Sequence, residues 1–161
     1  MPISPRAYFA MTILLASVSF AAACSRSDEK LNKYEIPEDG RIKGEVTASD
    51  ADTFSIAIEA TVSNAPDARQ GAWNYFSTPL ASSPLKARVE IRSEAGSLLF
   101  ADEVVDPKLS SWTAKQLYLE IGRVELVPGK YRIDASLSGK SLRQHPDFKA
   151  NIVVIPAYQG K

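Results

Sequence analysis

Residues 53–62 read TFSIAIEATV, and their side chains alternate: Phe54, Ile56, Ile58, Ala60 and Val62 fall on one face, with Ser55, Glu59 and Thr61 on the other. Successive side chains of an extended chain point to opposite sides. A period of two with one apolar and one polar face therefore marks a strand covering a core in an antiparallel sheet. The same alternation runs through Leu85, Ala87, Val89 and Ile91 against Lys86, Arg88, Glu90 and Arg92. It returns in Tyr131, Ile133, Ala135 and Leu137, and again in Phe148, Ala150, Ile152 and Val154.

Apolar runs at 42–47, 98–105 and 117–126 bring the total to about seven strands, and residues 94–97, with Gly96, read as a hairpin turn. The expectation is an all-β chain folded as a single antiparallel β-sandwich, immunoglobulin-like in its strand number. No helix-period segment competes; the sequence offers at most a short helical turn over 66–73. Pro128-Gly129 suits the two central positions of a type II turn. Tyr131, just beyond it, is placed to bury its ring and bond nearby backbone, as in the tyrosine corner of Greek-key sandwiches.

The amino terminus has a different character. Arg6 precedes the apolar run AYFAMTILLASVSF (7–20), then come Ala21, Ala22, Ala23 and the only cysteine, Cys24. A basic start, an apolar core and small residues are the parts of an export signal. The uncharged run ends at Arg26 and is rich in Ala, Ser and Thr, which is poor material for a spanning helix. Small residues before a lone cysteine resemble the lipobox of bacterial lipoproteins, although Ala21 stands where most carry Leu. That resemblance implies a leader of residues 1–23, cleaved before Cys24, and acylation of Cys24. Cleavage after Ala23 by the ordinary signal peptidase is the alternative, and it would leave a free thiol. Ser25 after the cysteine, by resemblance to enteric sorting, implies the outer membrane, with the domain at its periplasmic face.

Removing the leader leaves 138 of 161 residues, enough for one domain with a real core. Arg6 is the only charge lost, so 18 basic and 19 acidic residues remain, without the basic excess of a nucleic-acid binder. Residues 24–39 read as the lipidated terminus and a polar, flexible tether, on which Tyr34 and Ile36 have docking as their other reading; residues 40–161 read as the sandwich.

Leu109-Ser110-Ser111-Trp112, then Leu126-Val127-Pro128-Gly129-Lys130-Tyr131-Arg132, then a strand, a polar loop and a final strand resemble a proteobacterial family, domain of unknown function 5625. The resemblance covers about the last eighty residues. It implies a small, signal-bearing, often lipidated β-sandwich and supplies no catalytic residue.

Chemistry-bearing groups are sparse. His145 is the only histidine; Ser141 and Asp147 are near it in sequence, but no Gly-x-Ser-x-Gly nucleophile elbow occurs. Gly139-Lys140-Ser141 resembles the end of a phosphate loop, yet the upstream glycine position is Asp134. One histidine and one cysteine cannot build a zinc site. Asp50 and Asp52, with Asp102, Glu103 and Asp106, are oxygen ligands of the type calcium takes, but Asp is also a common turn residue. The expectation is no catalytic residue, no metal and no cofactor.

The long connection at 65–84 holds Arg69, Trp73, Asn74, Tyr75 and Phe76. Aromatic residues with Arg anchor protein interfaces, so these five are the candidate partner-binding residues, with a lid over one end of the sandwich as the competing role. Trp112 is expected to be core or edge packing. The functional expectation is a non-enzymatic envelope lipoprotein whose sandwich binds a protein, as an envelope-complex subunit or by neutralising a toxin. The alternative is a cell-wall glycan-binding module that stacks sugars on Trp73 and Tyr75, with Asn74 as hydrogen-bonding partner.

Overall fold

A computed structural model describes residues 32–78, 83–139, 142 and 145–157. The expectations for the leader, Cys24 and Ser25, and for the Lys140 and Ser141 positions, lie outside the described residues.

Nine strands and one helix follow in order: β1 (Asn32–Glu35), β2 (Arg41–Ala48), β3 (Asp52–Val62), α1 (Ala68–Ser77), β4 (Lys86–Ser93), β5 (Leu98–Val105), β6 (Leu109–Trp112), β7 (Gln116–Leu126), β8 (Gly129–Ser138) and β9 (Phe148–Pro156). They form two antiparallel sheets, β1-β9-β3-β7-β6 and β2-β8-β4-β5. The β-sandwich read from the alternation is thus the fold.

Its strand order adds detail that the pattern lacked. The chain pairs first with last: β1 with β9, β2 with β8, β3 with β7 and β4 with β5. This is a long ribbon folded over itself so that consecutive strands mostly change sheet. It is the order of a double Greek-key jelly roll, with β6 as an added edge strand. Nine strands replace about seven because β1 lies in the stretch read as tether and β6 is only 4 residues long. Residues 32–35 pair with β9, so the sandwich begins at Asn32 and the C-terminal part of the expected tether belongs to the sheet.

The core is the inner face of each strand in the expected phase: Ile56, Ile58 and Ala60 of β3 against Val89, Ile91 and Ile133 opposite, all 2 % exposed or less. In β7 the apolar phase changes midway, from Leu117, Leu119 and Ile121 to Val124 and Leu126. A bulge explains it. Ile56 pairs with Gly122 and Ala57 with Glu120, so Ile121 is the extra residue and the strand turns over by one position.

The sheets are stitched together along the β1–β2 side. The Asn32 side-chain amide donates to the carbonyl of Thr47 at 3.0 Å and accepts from its N–H at 2.9 Å, occupying the edge of β2 as a neighbouring strand would. Two residues on, the Tyr34 ring lies over Gly44 and its hydroxyl donates to the Glu45 carbonyl at 2.7 Å. A Cβ on Gly44 would stand 2.4 Å from the Tyr34 ring, so this close approach needs glycine.

The Tyr131 corner forms as expected, its hydroxyl donating to the Val127 carbonyl at 2.6 Å and accepting from the Val127 N–H at 3.2 Å. The adjoining turn does not have the expected type. Gly129 is already the first residue of β8, with φ 159°, far from the φ near +80° at the third position of a type II turn. The reason is topological: β7 and β8 belong to different sheets, so this link crosses the sandwich instead of closing a hairpin.

Candidate functional site

The connection read as a loop contains α1. Ala68 and Ala72, one helical turn apart, are buried against the sandwich, and this short apolar stripe is what holds the helix in place. Asp67 enters it with a left-handed φ of 62°. The Gln70 side chain donates to Asn74 Oδ1 at 2.8 Å along its exposed face. Only ten residues long and carrying Gly71 and Asn74, α1 has little propensity or periodicity to announce it.

The helix divides the five candidate residues. Tyr75 and Phe76 turn inward and join Phe148 and His145 in one aromatic cluster. Its ring centroids are 5.3 Å apart for Tyr75–Phe148, 4.8 Å for Phe76–Phe148 and 4.4 Å for the stacked His145–Phe148 pair. Burial pushes the Tyr75 hydroxyl pKa up. These two residues serve the lid role, closing the end of the sandwich where β3 ends and β9 begins.

Arg69 and Asn74 stay exposed. Trp73 is half-buried and meets Trp112 of β6 edge-on, 5.6 Å between centroids. Trp112 is 55 % exposed, so it is an edge residue and not core. Beside this pair an open groove of about 560 Å³ runs between α1 and the β6–β7 turn, lined among others by Asn64, Asp67, Arg69, Trp73 and Ala114. Trp73 and Tyr75, two apart on a helix, point to different partners and do not share one stacking platform.

A second concentration of polar groups lies on the outer face of the five-stranded sheet. Glu59, buried in the middle of β3, accepts from Lys33 at 2.6 Å and from the Thr61 hydroxyl at 2.9 Å. The Tyr118 hydroxyl bonds to it as well, and burial followed by that negative charge raises the Tyr118 pKa. Further along, Glu120 accepts from Ser55 at 3.1 Å and from two nitrogens of Arg123 at 2.9 and 3.2 Å. A groove of about 460 Å³ lies over Ser55, Ala57, Tyr118 and Ile155, walled by β6. Alternation assigned Ser55, Glu59 and Thr61 to the solvent face. It carried no sign that long side chains from neighbouring strands cover them.

The remaining acidic and histidine candidates are engaged locally. His145 Nδ1 accepts from the Asp147 N–H at 3.3 Å. Asp106 accepts from the Leu85 N–H at 2.8 Å, Asp102 from the Glu103 N–H at 2.8 Å and Asp52 from the Thr53 N–H at 2.7 Å. Asp50 and Asp52 flank the β2–β3 turn, at the end of the sandwich opposite Asp106. Among the described residues no three His, Cys, Asp or Glu side chains gather as a metal site, and no helix is long and apolar enough to cross a membrane.

No protein-family model matches the sequence, and no curated protein matches it. Among solved structures, a Sulfurospirillum deleyianum protein is similar over 80 % of this chain and 99 % of its own, at 11 % identity and a TM-score of 0.47. The infectious bursal disease virus VP2 subviral particle is similar over 81 % of this chain and 34 % of its own, at 10 % identity and a TM-score of 0.32. Neither likeness is close enough to bear on function.

Proposed function

We propose that this chain is a non-enzymatic bacterial envelope lipoprotein, exported by its leader and acylated at Cys24, whose jelly roll binds a protein partner at the periplasmic face of the outer membrane. The partner is an envelope-complex subunit or a toxin that this protein neutralises. The observation that carries the reading is the Trp73–Trp112 pair, which brings a solvent-exposed tryptophan from an edge strand against α1, where Trp73 lines one groove with Arg69. Exposed Trp and Arg side by side are the residue types that dominate interface energetics. The protein partner is favoured over a glycan because Tyr75 packs in the aromatic cluster under the helix, which leaves Trp73 and Trp112 as the rings nearest the open groove.

A photo-crosslinking residue at position 70, exposed on α1 and lining the same groove as Arg69 and Trp73, tests it in living cells. The expected result is one defined protein adduct, lost on Arg69→Ala or Trp73→Ala while the melting temperature of the Arg69→Ala protein stays that of the parent. Sedimentation of the protein with purified peptidoglycan, and no adduct, would replace the protein partner with the cell-wall glycan. Mass spectrometry of Cys24 in the exported protein tests the anchor separately.

A further inference from the structure

The outer face of the four-stranded sheet is rich in cations. Arg41 and Lys43 point outward from β2, Lys130 and Arg132 from β8, and Lys86, Arg88 and Arg92 from β4. Against these seven cations stand five carboxylates: Glu45, Asp134, Glu90 and Glu103 on the strands, and Glu94 in the β4–β5 turn, whose charge reaches Lys130. The described residues as a whole hold 13 basic and 17 acidic side chains, so a face of net +2 belongs to a body whose total, face included, is −4.

Ion pairs occupy part of it: Lys43–Asp134 at 3.7 Å, Lys130–Glu45 at 3.0 Å, and Glu90 shared by Arg88 at 2.7 Å and Arg92 at 2.8 Å. Arg41, Lys86 and Arg132 have no ion-pair partner among the described residues. Along the β5 rim of the same sheet lie Leu98, Leu99 and Val105, three of the five large apolar side chains exposed among the described residues. Cations on a flat face with aliphatic side chains at its margin match the chemistry of a phospholipid interface, phosphates outside and acyl chains beneath.

Chain length points the same way. With β1 in the sheet, only residues 25–31 separate Cys24 from the domain. Seven residues span about 15 Å as a random coil and at most about 25 Å extended. The chain enters at Asn32, bonded to Thr47 at a corner of this same face.

We infer that the outer face of the β2-β8-β4-β5 sheet seats the domain against anionic phospholipid headgroups, with Arg41, Lys86 and Arg132 on the phosphates and Leu98, Leu99 and Val105 at the acyl boundary. The tether argument rests on the acylated reading of Cys24; the charge and apolar rim do not. In this pose α1, Trp112 and the outer groove of the five-stranded sheet remain open to a partner.

All nine strands and the helix lie within residues 32–157, so the chain from residue 24 onward, carrying Cys24→Ser, keeps the whole sandwich without an acyl group. Its co-sedimentation with phosphatidylcholine vesicles, plain or doped with phosphatidylglycerol, isolates the face itself. Binding is expected only with phosphatidylglycerol and is expected to weaken with salt. Lys86→Glu with Arg132→Glu should lower partitioning about a hundredfold or more, at about fivefold per unit of charge. Lys115→Glu with Lys149→Glu, in the β6–β7 turn and on the five-stranded sheet, should leave it unchanged, both pairs melting as cooperatively as the parent. Failure to bind phosphatidylglycerol vesicles, or equal loss in the two pairs, overturns the inference. Acylation of Cys24, read by mass spectrometry, stands or falls independently.

Discussion

Lys33 Nζ stands 2.6 Å from a carboxylate oxygen of Glu59, whose side chain is only 7 % exposed, and the pair reaches from edge strand β1 across β9 to the central strand β3. A carboxylate so placed survives because its donors replace water, and Lys33 is the only charged one described. The same lysine stem covers the outer side of β9, where Asn151 and Val153 are buried.

Removing that lysine leaves Glu59 with hydroxyl donors alone. Lys33→Ala is expected to lower unfolding stability in urea by about 2–3 kcal/mol, below the roughly 3–5 kcal/mol for a fully buried pair because the Lys33 side chain is 36 % exposed. Lys33→Met combined with Glu59→Leu should recover most of it, because replacing both members with apolar side chains removes the desolvation cost together with the attraction.

At high pH the seam between the sheets is expected to open first. Burial, and next the Glu45 charge, push the Tyr34 pKa from 10.0 up to about 12. A raised folded pKa means the folded state holds its proton more tightly. The corresponding stability is fully present below pH 10 and is lost as pH rises toward 12. Tyr75 and Tyr118 are shifted in the same direction. Melting temperature followed across this window should fall, and Tyr34→Phe should flatten part of the slope.

The two sides of α1 should separate cleanly. Phe76→Ala opens the aromatic cluster under the helix and is expected to cost about 2–4 kcal/mol, the lower part of the range for aromatic truncation because Phe76 is half-buried. Trp112→Ala gives up one edge-on ring contact and should cost about 0.5–1.5 kcal/mol. Thermal unfolding of the two variants checks the ordering.

Two turn glycines offer a matched comparison. A Cβ on Gly40, at φ +68°, would lie 2.2 Å from the Leu137 carbonyl oxygen, whereas one on Gly96, at φ +88°, meets nothing within 4 Å. Gly96→Ala should cost only the conformational penalty of about 1 kcal/mol. Gly40→Ala should cost well beyond that, since backbone must move, and denaturant titration reads the difference.

The core was legible in the sequence to a useful degree. Strict alternation in 85–92 and 131–137 identified strands and their buried faces because each has one solvent side in its own sheet, whereas in 53–62 both faces are covered and the alternation shows only because the outer one carries polar residues. The strand order was not legible, since alternation states which face is inward and never which strand is next door. β1 was hidden by its polar outward residues Lys33 and Glu35, which are bonded to Glu59 and Lys149 in the fold. The aromatic residues at 73–76 stand out as a group, but only the helix, which the sequence offers no further than a short turn over 66–73, sorts them into two that plug the sandwich and one that meets Trp112. Glu59 and the charge imbalance of the four-stranded sheet passed unseen for a common reason: both arise from side chains far apart in the chain.

The ribbon that joins the first strand to the last also sets when the molecule can exist. β9, made last, lies between β1 and β3 in its sheet, so neither of those strands finds this neighbour until the residues around Pro156 have been added. A nascent chain stalled short of that point holds open edges and a half-covered core, with long-range pairings that form slowly in any case. On the proposed export reading, a fold that cannot close before β9 has emerged is one that will not jam a translocation pore.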